Sequence, residues 1–221
     1  MKRDLITTAI GILVLTLVLG IIYPLVITGV SQVAFPGNAN GQQVRVAGKL
    51  VGSKIIGQSF ADVVVTGAGG RKVKLDATGN PVTTPDPRYF QSRPSGTVPA
   101  DNAAGSSFAN YGPNSLLTEQ TLASNISAYL TLERPYDPGL TVAKIPVDAV
   151  DTSASGIDPD ISPANAAIQA HRIASVRRLP LARVMTLVAT FTHGRGLGFS
   201  GQPGVNVLQL NLALDRVTGG R

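Results

Sequence analysis

The chain contains no cysteine among its 221 residues, which excludes a disulfide framework and any thiol chemistry. An oxidising compartment tolerates such a sequence without requiring it. Histidine is nearly as scarce: His171 and His193 are the only two, and neither falls in a cluster of carboxylates at helical spacing. Zinc takes three or four donors, most often His or Cys, so no metal centre is expected. His193, beside Gly194, is expected to close a helix, where a cation meets the negative end of the dipole.

Charge of either sign is missing from Leu5 to Val44. The first part of this stretch, Leu5 to Val30, is mostly Leu, Ile and Val. As a helix it would reach about 39 Å at ~1.5 Å per residue, enough to cross a hydrocarbon core of ~30 Å with some tilt. A lone span in lipid must satisfy its own backbone, which only a helix can do. Lys2 and Arg3 precede it and no basic residue follows before Arg45, so the positive-inside bias puts residues 1–4 in the cytoplasm, residues 5–33 across the membrane and residues 34–221 outside. A cleaved signal peptide has an apolar core of only ~7–15 residues and a small-x-small cleavage site, and the run here is too long. Thr16 and Gly20 are small residues four apart, a spacing at which membrane helices pack closely, and Pro24 is expected to kink the outer end.

The remaining length suits one domain with a core of its own. Its net charge is +5, the total of +6 less the +1 of Lys2, Arg3 and Asp4, and it is spread along the chain. A nucleic-acid surface needs a concentrated basic stripe, so nucleic acid is not an expected partner.

Turn residues 35–41 form an exit linker, and residues 44–60 read as short strands punctuated by Gly48, Gly52 and Gly57. Val63–Val65 and Val73–Leu75 flank Gly67-Ala68-Gly69-Gly70 as a hairpin, followed by loops over 76–87 and 88–113. Asn114 or Ser115 is expected to cap a helix running to about Glu133, and Val147–Val150 is a strand candidate. Ser162-Pro163 starts a helix ending near Leu179, and Pro180 opens another that stops at Gly194. Leu208, Leu210, Leu212 and Leu214 alternate, which predicts a half-buried strand over 206–215. The expected fold is a single N-terminal transmembrane helix plus an α+β domain.

Three constellations invite a chemical reading. Gly67–Lys72 lacks the Gly-x4-Gly-Lys-Ser/Thr spacing and precedes a strand, so it is not a phosphate loop but a hairpin tip. Asp148, Asp151, Asp158 and Asp160 do not match a calcium loop and read as turn formers. Ser153 and Ser155 have no nucleophile elbow and nothing to orient a base. No catalytic residue is therefore assigned.

Several segments, in order, resemble one family. They are Tyr23-Pro24-Leu25 at the outer end of the anchor, Gly52-Ser53 with Ile56-Gly57-Gln58-Ser59-Phe60, and Tyr89-Phe90-Gln91-Ser92-Arg93-Pro94-Ser95. Thr152-Ser153-Ala154-Ser155-Gly156-Ile157-Asp158-Pro159 follows, then Ile161-Ser162-Pro163, Gln169, Arg172, Ile173-Ala174 and Arg177, and finally Gly201-Gln202-Pro203-Gly204-Val205-Asn206 running on to Asp215. The joint order is similar to the C subunit of the bacterial Kdp potassium-transporting P-type ATPase. Residues 62–87 read as an insertion before the Tyr-Phe-Gln-Ser-Arg-Pro segment, and Ser107 to Asn114 replaces the family's usual Gly-Gly-Ser-Asn-Leu-like loop.

The resemblance implies an accessory, non-catalytic subunit of a high-affinity potassium uptake complex in the bacterial inner membrane. Its implied partners are a channel-like potassium-translocating subunit, a P-type ATPase subunit and a small membrane subunit. It further implies a catalytic chaperone that raises the ATP affinity of the ATPase subunit, with Gln169, Ser153, Ser155 and Gly156 as nucleotide contacts and no tightly bound cofactor. ATP is cytoplasmic, whereas the charge bias places Gln169 outside. Two other readings avoid that conflict: a cap over the outer potassium entrance without a nucleotide role, and a stand-alone anchored binding module.

Overall fold

A computed structural model describes residues 2–66, 72–75, 82–95, 111–153 and 155–219. The chain divides into two compact units, Met1–Ser53 and Lys54–Arg221.

The first unit begins with α1 (Lys2–Leu17) and α2 (Tyr23–Ala34), joined through a π-helical turn at Val18–Ile22 into one apolar helix from Lys2 to Ala34. None of its most apolar window is buried against protein, and it is long and apolar enough to cross a membrane. Pro24 lies in the first turn of α2 and can donate no backbone hydrogen bond. The wide turn sits immediately before it, with the Tyr23 amide donating to the Val18 carbonyl five residues back. Thr16 and Gly20 lie on the same exposed face, the Thr16 methyl being 4.0 Å from where a side chain on Gly20 would begin.

A single helical turn, α3 (Pro36–Ala39), occupies the expected exit linker, and the Gln32 and Asn40 carboxamides exchange hydrogen bonds. β1 (Gln43–Val46) and β2 (Lys49–Ser53) then form an antiparallel hairpin. Its turn places Ala47 and Gly48 at φ +48° and +79°, the left-handed geometry that matches strand twist.

The second unit opens with two small antiparallel pairs. β3 (Ala61–Val63) pairs with β6 (Thr83–Pro85), so part of the expected 76–87 loop is strand, and β4 (Val65–Thr66) pairs with β5 (Lys72–Val73). The hairpin expectation is met where Val65 pairs with Val73, whereas Val63 pairs instead with Thr83 on β6, and the tip, 67–71, lies outside the described residues. So do residues 96–110, the larger part of the expected long loop.

Four helices carry the core. α4 (Leu116–Glu133) takes Ser115, the second of the two expected caps, as its N-cap residue, although the Ser115 side chain makes no capping bond. α5 (Pro163–Val176) is capped by the Ser162 hydroxyl, which accepts from the Asn165 amide, and ends three residues before the expected Leu179. Its C-terminus is closed by the Leu179 amide on the Ala174 carbonyl and the Arg178 amide on the Ser175 carbonyl, with Arg178 left-handed at φ +53°. α6 (Leu181–Thr190) follows Pro180. It stops at Phe191, not at Gly194, because Thr192–His193 leaves the helix as β8. His193 is therefore a strand residue, and the helix-closing role expected for it is not found.

Two further expectations are overturned. Val147–Ala149 is a turn of 3-10 helix that follows Pro146, not a strand. Residues 206–215 are not a strand either: only β9 (Gly204–Asn206) is extended, and α7 (Val207–Thr218) takes over. The Asn206 carboxamide accepts from the Gln209 amide and caps the helix, and Gly219 closes it in the left-handed region. Val207, Leu210, Asn211 and Leu214 form the helical stripe hidden within the alternation. Leu208 and Ala213 are buried as well, so α7 is enclosed on more than one face and its apolar pattern loses the one-sided period.

β9 is the middle of a three-stranded antiparallel sheet, flanked by β7 (Asp160–Ile161) and β8. The main core lies among Phe90, Ile161, Ile173, Val184, Leu210 and Leu214, and a second cluster gathers Tyr129, Leu140 and Val150.

Candidate functional site

Phe90 is fully buried in a segment that belongs to no strand, so its backbone polar groups need partners other than water. Two helices supply them. From α7, Asn211 Oδ1 accepts from the Phe90 amide and Nδ2 donates to the Phe90 carbonyl, both at 2.9 Å. From α5, Gln169 Oε1 accepts from the Gln91 amide at 2.7 Å and Nε2 donates to the Gln91 carbonyl at 3.1 Å. Two carboxamides thus do for this segment what a neighbouring strand does in a sheet.

Beneath this clamp lies an ion pair removed from water, Glu133 at 1% exposure and Arg172 at 0%. Arg172 Nε donates to both Glu133 oxygens at 2.9 and 3.1 Å. Its Nη1 donates to the carbonyls of Pro87 and Tyr89, and Nη2 to Gln169 Oε1 at 3.0 Å. Burial pushes the Glu133 carboxyl above its usual range, with Arg172 opposing. Asn165 Oδ1 accepts from Tyr129 Oη at 2.9 Å and Gln169 Nε2 at 3.0 Å, and burial also raises the Tyr129 phenol. Asn165, Gln169 and Arg172 recur at i, i+4 and i+7, so α5 turns one polar stripe towards this network.

The network borders a cleft of about 230 Å³, walled by Phe60, Pro85, Leu132 and Ala149 with Tyr129 and Gln169 among its lining. Behind the Phe60 wall of this cleft, Tyr89 packs on the Phe60 ring with centroids 5.4 Å apart and lies under the Arg177 guanidinium at 4.7 Å. Arg177 in turn pairs with Asp215 at 2.8 Å, and Asp215 also accepts from the Tyr89 hydroxyl.

The Ser153–Gly156 loop is held from the same segment. Ser95 Oγ donates to the Gly156 carbonyl at 2.7 Å, and Arg93 donates to Asp158 and to the carbonyls of Asp151 and Thr152. Ser153 is buried and its hydroxyl accepts from the Gly156 amide at 2.9 Å, while Gly156 itself sits at φ +73°. Ser155 is exposed, with its hydroxyl 3.2 Å from that of Ser153.

The four residues expected to contact a nucleotide thus have different surroundings. Gln169 lies in the core and both lone pairs and both N–H groups of its carboxamide are already engaged, so it offers a ligand no unfilled position. The Nη1 and Nη2 groups of Arg93 are engaged by Asp158 and two loop carbonyls, while its buried Nε has no hydrogen-bond partner among the described residues. Only Ser155 faces solvent. Among the described residues, no group of three or more His, Asp or Glu is close enough to hold a metal ion. Asn165, Asn211 and Glu133 were not singled out from sequence. The i, i+4, i+7 spacing on α5 was the available signal for Asn165, and nothing local marked Asn211 or Glu133.

Fold and site together define an α+β domain, on a chain with one span-length apolar helix among the described residues, in which the buried carboxamides of Gln169 and Asn211 and the Arg172 guanidinium hold an irregular segment in place. The chain matches the family described as KdpC, the c chain of the K+-transporting ATPase, over residues 5–216. It is 46% identical over 206 residues to the potassium-transporting ATPase KdpC subunit of Methylobacterium nodulans, covering 93% of this chain and 92% of that one. The corresponding subunit of Methylococcus capsulatus is 44% identical over 205 residues, at 92% and 93% coverage, and that of Koribacter versatilis 40% over 215 residues, at 97% and 95%. The chain belongs to the KdpC family.

Proposed function

We propose that this chain is the non-catalytic C subunit of an ATP-driven potassium uptake complex, held in the bacterial inner membrane by residues 5–33. Residues 1–4 lie in the cytoplasm and residues 34–221 outside, as the Lys2 and Arg3 flank directs. The observation that carries this reading is a family match that runs through both the exposed apolar helix and the folded domain. Its partners are a P-type ATPase subunit, a channel-like potassium-translocating subunit and a small membrane subunit. Thr16, Gly20 and Pro24 lie on the helix that meets one of their spans. Residues 62–87 are an insertion whose strands pair with one another, β3 with β6 and β4 with β5.

Affinity purification of the tagged chain from cells expressing all four proteins tests this. Recovery of the ATPase and channel-like subunits in stoichiometric amounts is the expected result. Recovery of the chain alone overturns it.

A chaperone action on ATP affinity is a separable part of the proposal. The filled carboxamide of Gln169 supports an internal role for that residue, and a domain outside the membrane does not meet cytoplasmic ATP, so the action on ATP affinity runs through the partner subunits and not through a direct nucleotide contact. In the purified complex, Ser155→Ala, at the exposed position of the loop, then leaves the ATP dependence of hydrolysis unchanged. A shifted ATP dependence with unchanged thermal stability overturns this and restores a direct contact at the loop.

A further inference from the structure

The loop between β8 and β9 ends in a small hairpin that carries its apolar residues outward. Leu197 is 91% exposed and Phe199 75%, against a domain interior where residues of this kind are hidden. The tip is firmly built: the Gly196 and Ser200 amides each donate to the other's carbonyl at 2.8 Å, the Gly198 amide donates to Arg195 and the Phe199 amide to Gly196. Leu197 takes φ +52°, a left-handed conformation that costs a branched side chain energy, followed by Gly198 at φ +81°. A strained leucine and a phenylalanine held in water by a closed hairpin are poorly explained by folding, because burial would stabilise both.

The electrostatic surroundings favour one kind of partner. From Ile161 to Leu214 there is no Asp or Glu, whereas Arg172, Arg177, Arg178, Arg183 and Arg195 all lie there. Arg172 and Arg177 are spent on Glu133 and Asp215. Arg178, Arg183 and Arg195 are exposed, and Arg195 flanks the tip itself, steadied by a hydrogen bond from its Nη2 to Gln202 Oε1 at 3.0 Å. Three carboxylates, Asp148, Asp158 and Asp160, line one surface pocket with Gln202, Pro203 and Gly204 at the foot of this loop, and each is engaged: Asp158 by Arg93, Asp160 by His193, and Asp148 by the Ser162 amide and the Asn165 carboxamide. Two exposed apolar side chains at a hairpin tip with an exposed arginine beside them match the interface of an anionic bilayer, where the apolar pair enters the acyl boundary and the guanidinium meets phosphate. The chain brings its own bilayer, since the helix from Lys2 to Ala34 tethers the domain and makes a weak contact sufficient.

We propose that the 195–200 hairpin is a second membrane contact of this protein, inserting Leu197 and Phe199 into the lipid surface with Arg195 on anionic headgroups. The test uses the full chain in nanodiscs. Because the sequence has no cysteine, Ser200→Cys gives a single attachment point for an environment-sensitive fluorophore next to the intact tip, and Ser124→Cys on α4 gives a solvent-exposed reference.

With phosphatidylglycerol present, the label at 200 shifts to the blue and is quenched by spin-labelled acyl chains, while the label at 124 is not. Arg195→Gln lowers the inserted-to-free ratio about fivefold, and pure phosphatidylcholine lowers it further. Leu197→Ser/Phe199→Ser abolishes the quenching with the thermal midpoint retained. A label at 200 that stays water-like in anionic discs overturns the proposal. So does a label that becomes protected only when the partner subunits are added and remains unquenched by lipid, since that result assigns the tip to a protein pocket.

Discussion

The Asn211 carboxamide grips both the amide and the carbonyl of Phe90 across 121 residues of sequence, each bond at 2.9 Å. Together with Gln169 on Gln91, it fixes an irregular segment that runs through the core, and so sets where the Ser92–Ser95 continuation meets the Ser153–Gly156 loop.

Replacing Asn211 with leucine keeps the volume but leaves two buried backbone groups of Phe90 unpaired. At about 1–3 kcal/mol for each orphaned group, the loss is about 2–6 kcal/mol, measurable as a lowered denaturant midpoint of the full chain in detergent. A midpoint within the range of surface substitutions sinks the clamp.

Arg172→Ala leaves Glu133 in the core without its guanidinium partner. Breaking a buried pair in this way costs about 3–5 kcal/mol near neutral pH. The Glu133 carboxyl already lies above its usual range through burial, and without Arg172 opposing it rises further. A folded-state value raised above the unfolded one means stability is fully present below the unfolded value and is lost as pH rises through the folded value. The variant therefore regains stability towards acid. Thermal melts across pH that show no such recovery contradict the assignment of Glu133 as a buried carboxylate left without a partner.

His193 and Asp160 join the outer strands of the three-stranded sheet, Nε2 to Oδ2 at 3.0 Å, passing over β9 at Gly204. The hydrogen bond to Asp160 raises the His193 value, so the contact stabilises fully below the unfolded histidine value and fades as pH rises through the folded one. A side chain on Gly204 would begin 2.8 Å from His193 Nε2 and 3.2 Å from the Asp160 Cβ. Gly204→Ala is expected to push the half-exposed ring aside, erase this pH dependence and return the His193 titration, read by NMR, to an ordinary histidine value. An unchanged titration rules out the pair as its cause.

The local features most fully legible beforehand were those decided within a few residues. The apolar helix followed from an uncharged run, because lipid and backbone hydrogen bonding leave a lone span no other form. Ser162-Pro163 announced α5 because the cap and the first turn are neighbours in sequence. The strand expected over 206–215 failed for the complementary reason. Alternating leucines report one buried face only when the other faces water, and α7 is packed by β9 and α6 as well as by Phe90. His193 was misplaced because the helix before it ends where β9 offers Thr192 a partner, and β9 lies beyond the loop.

Sequence by itself determined the membrane-length helix, the α+β composition and the family, each of which rests on local pattern or on the order of many short segments. Tertiary structure alone decided what the polar residues do. Gln169, Asn211, Arg172 and Glu133 are ordinary surface types, and no local rule marks which of them will be taken out of water. Their meaning comes from partners 39 to 121 residues away, brought within hydrogen-bond distance when the core closes. Once buried, each has to be satisfied internally, and that requirement turns scattered amides and one ion pair into the frame of the domain.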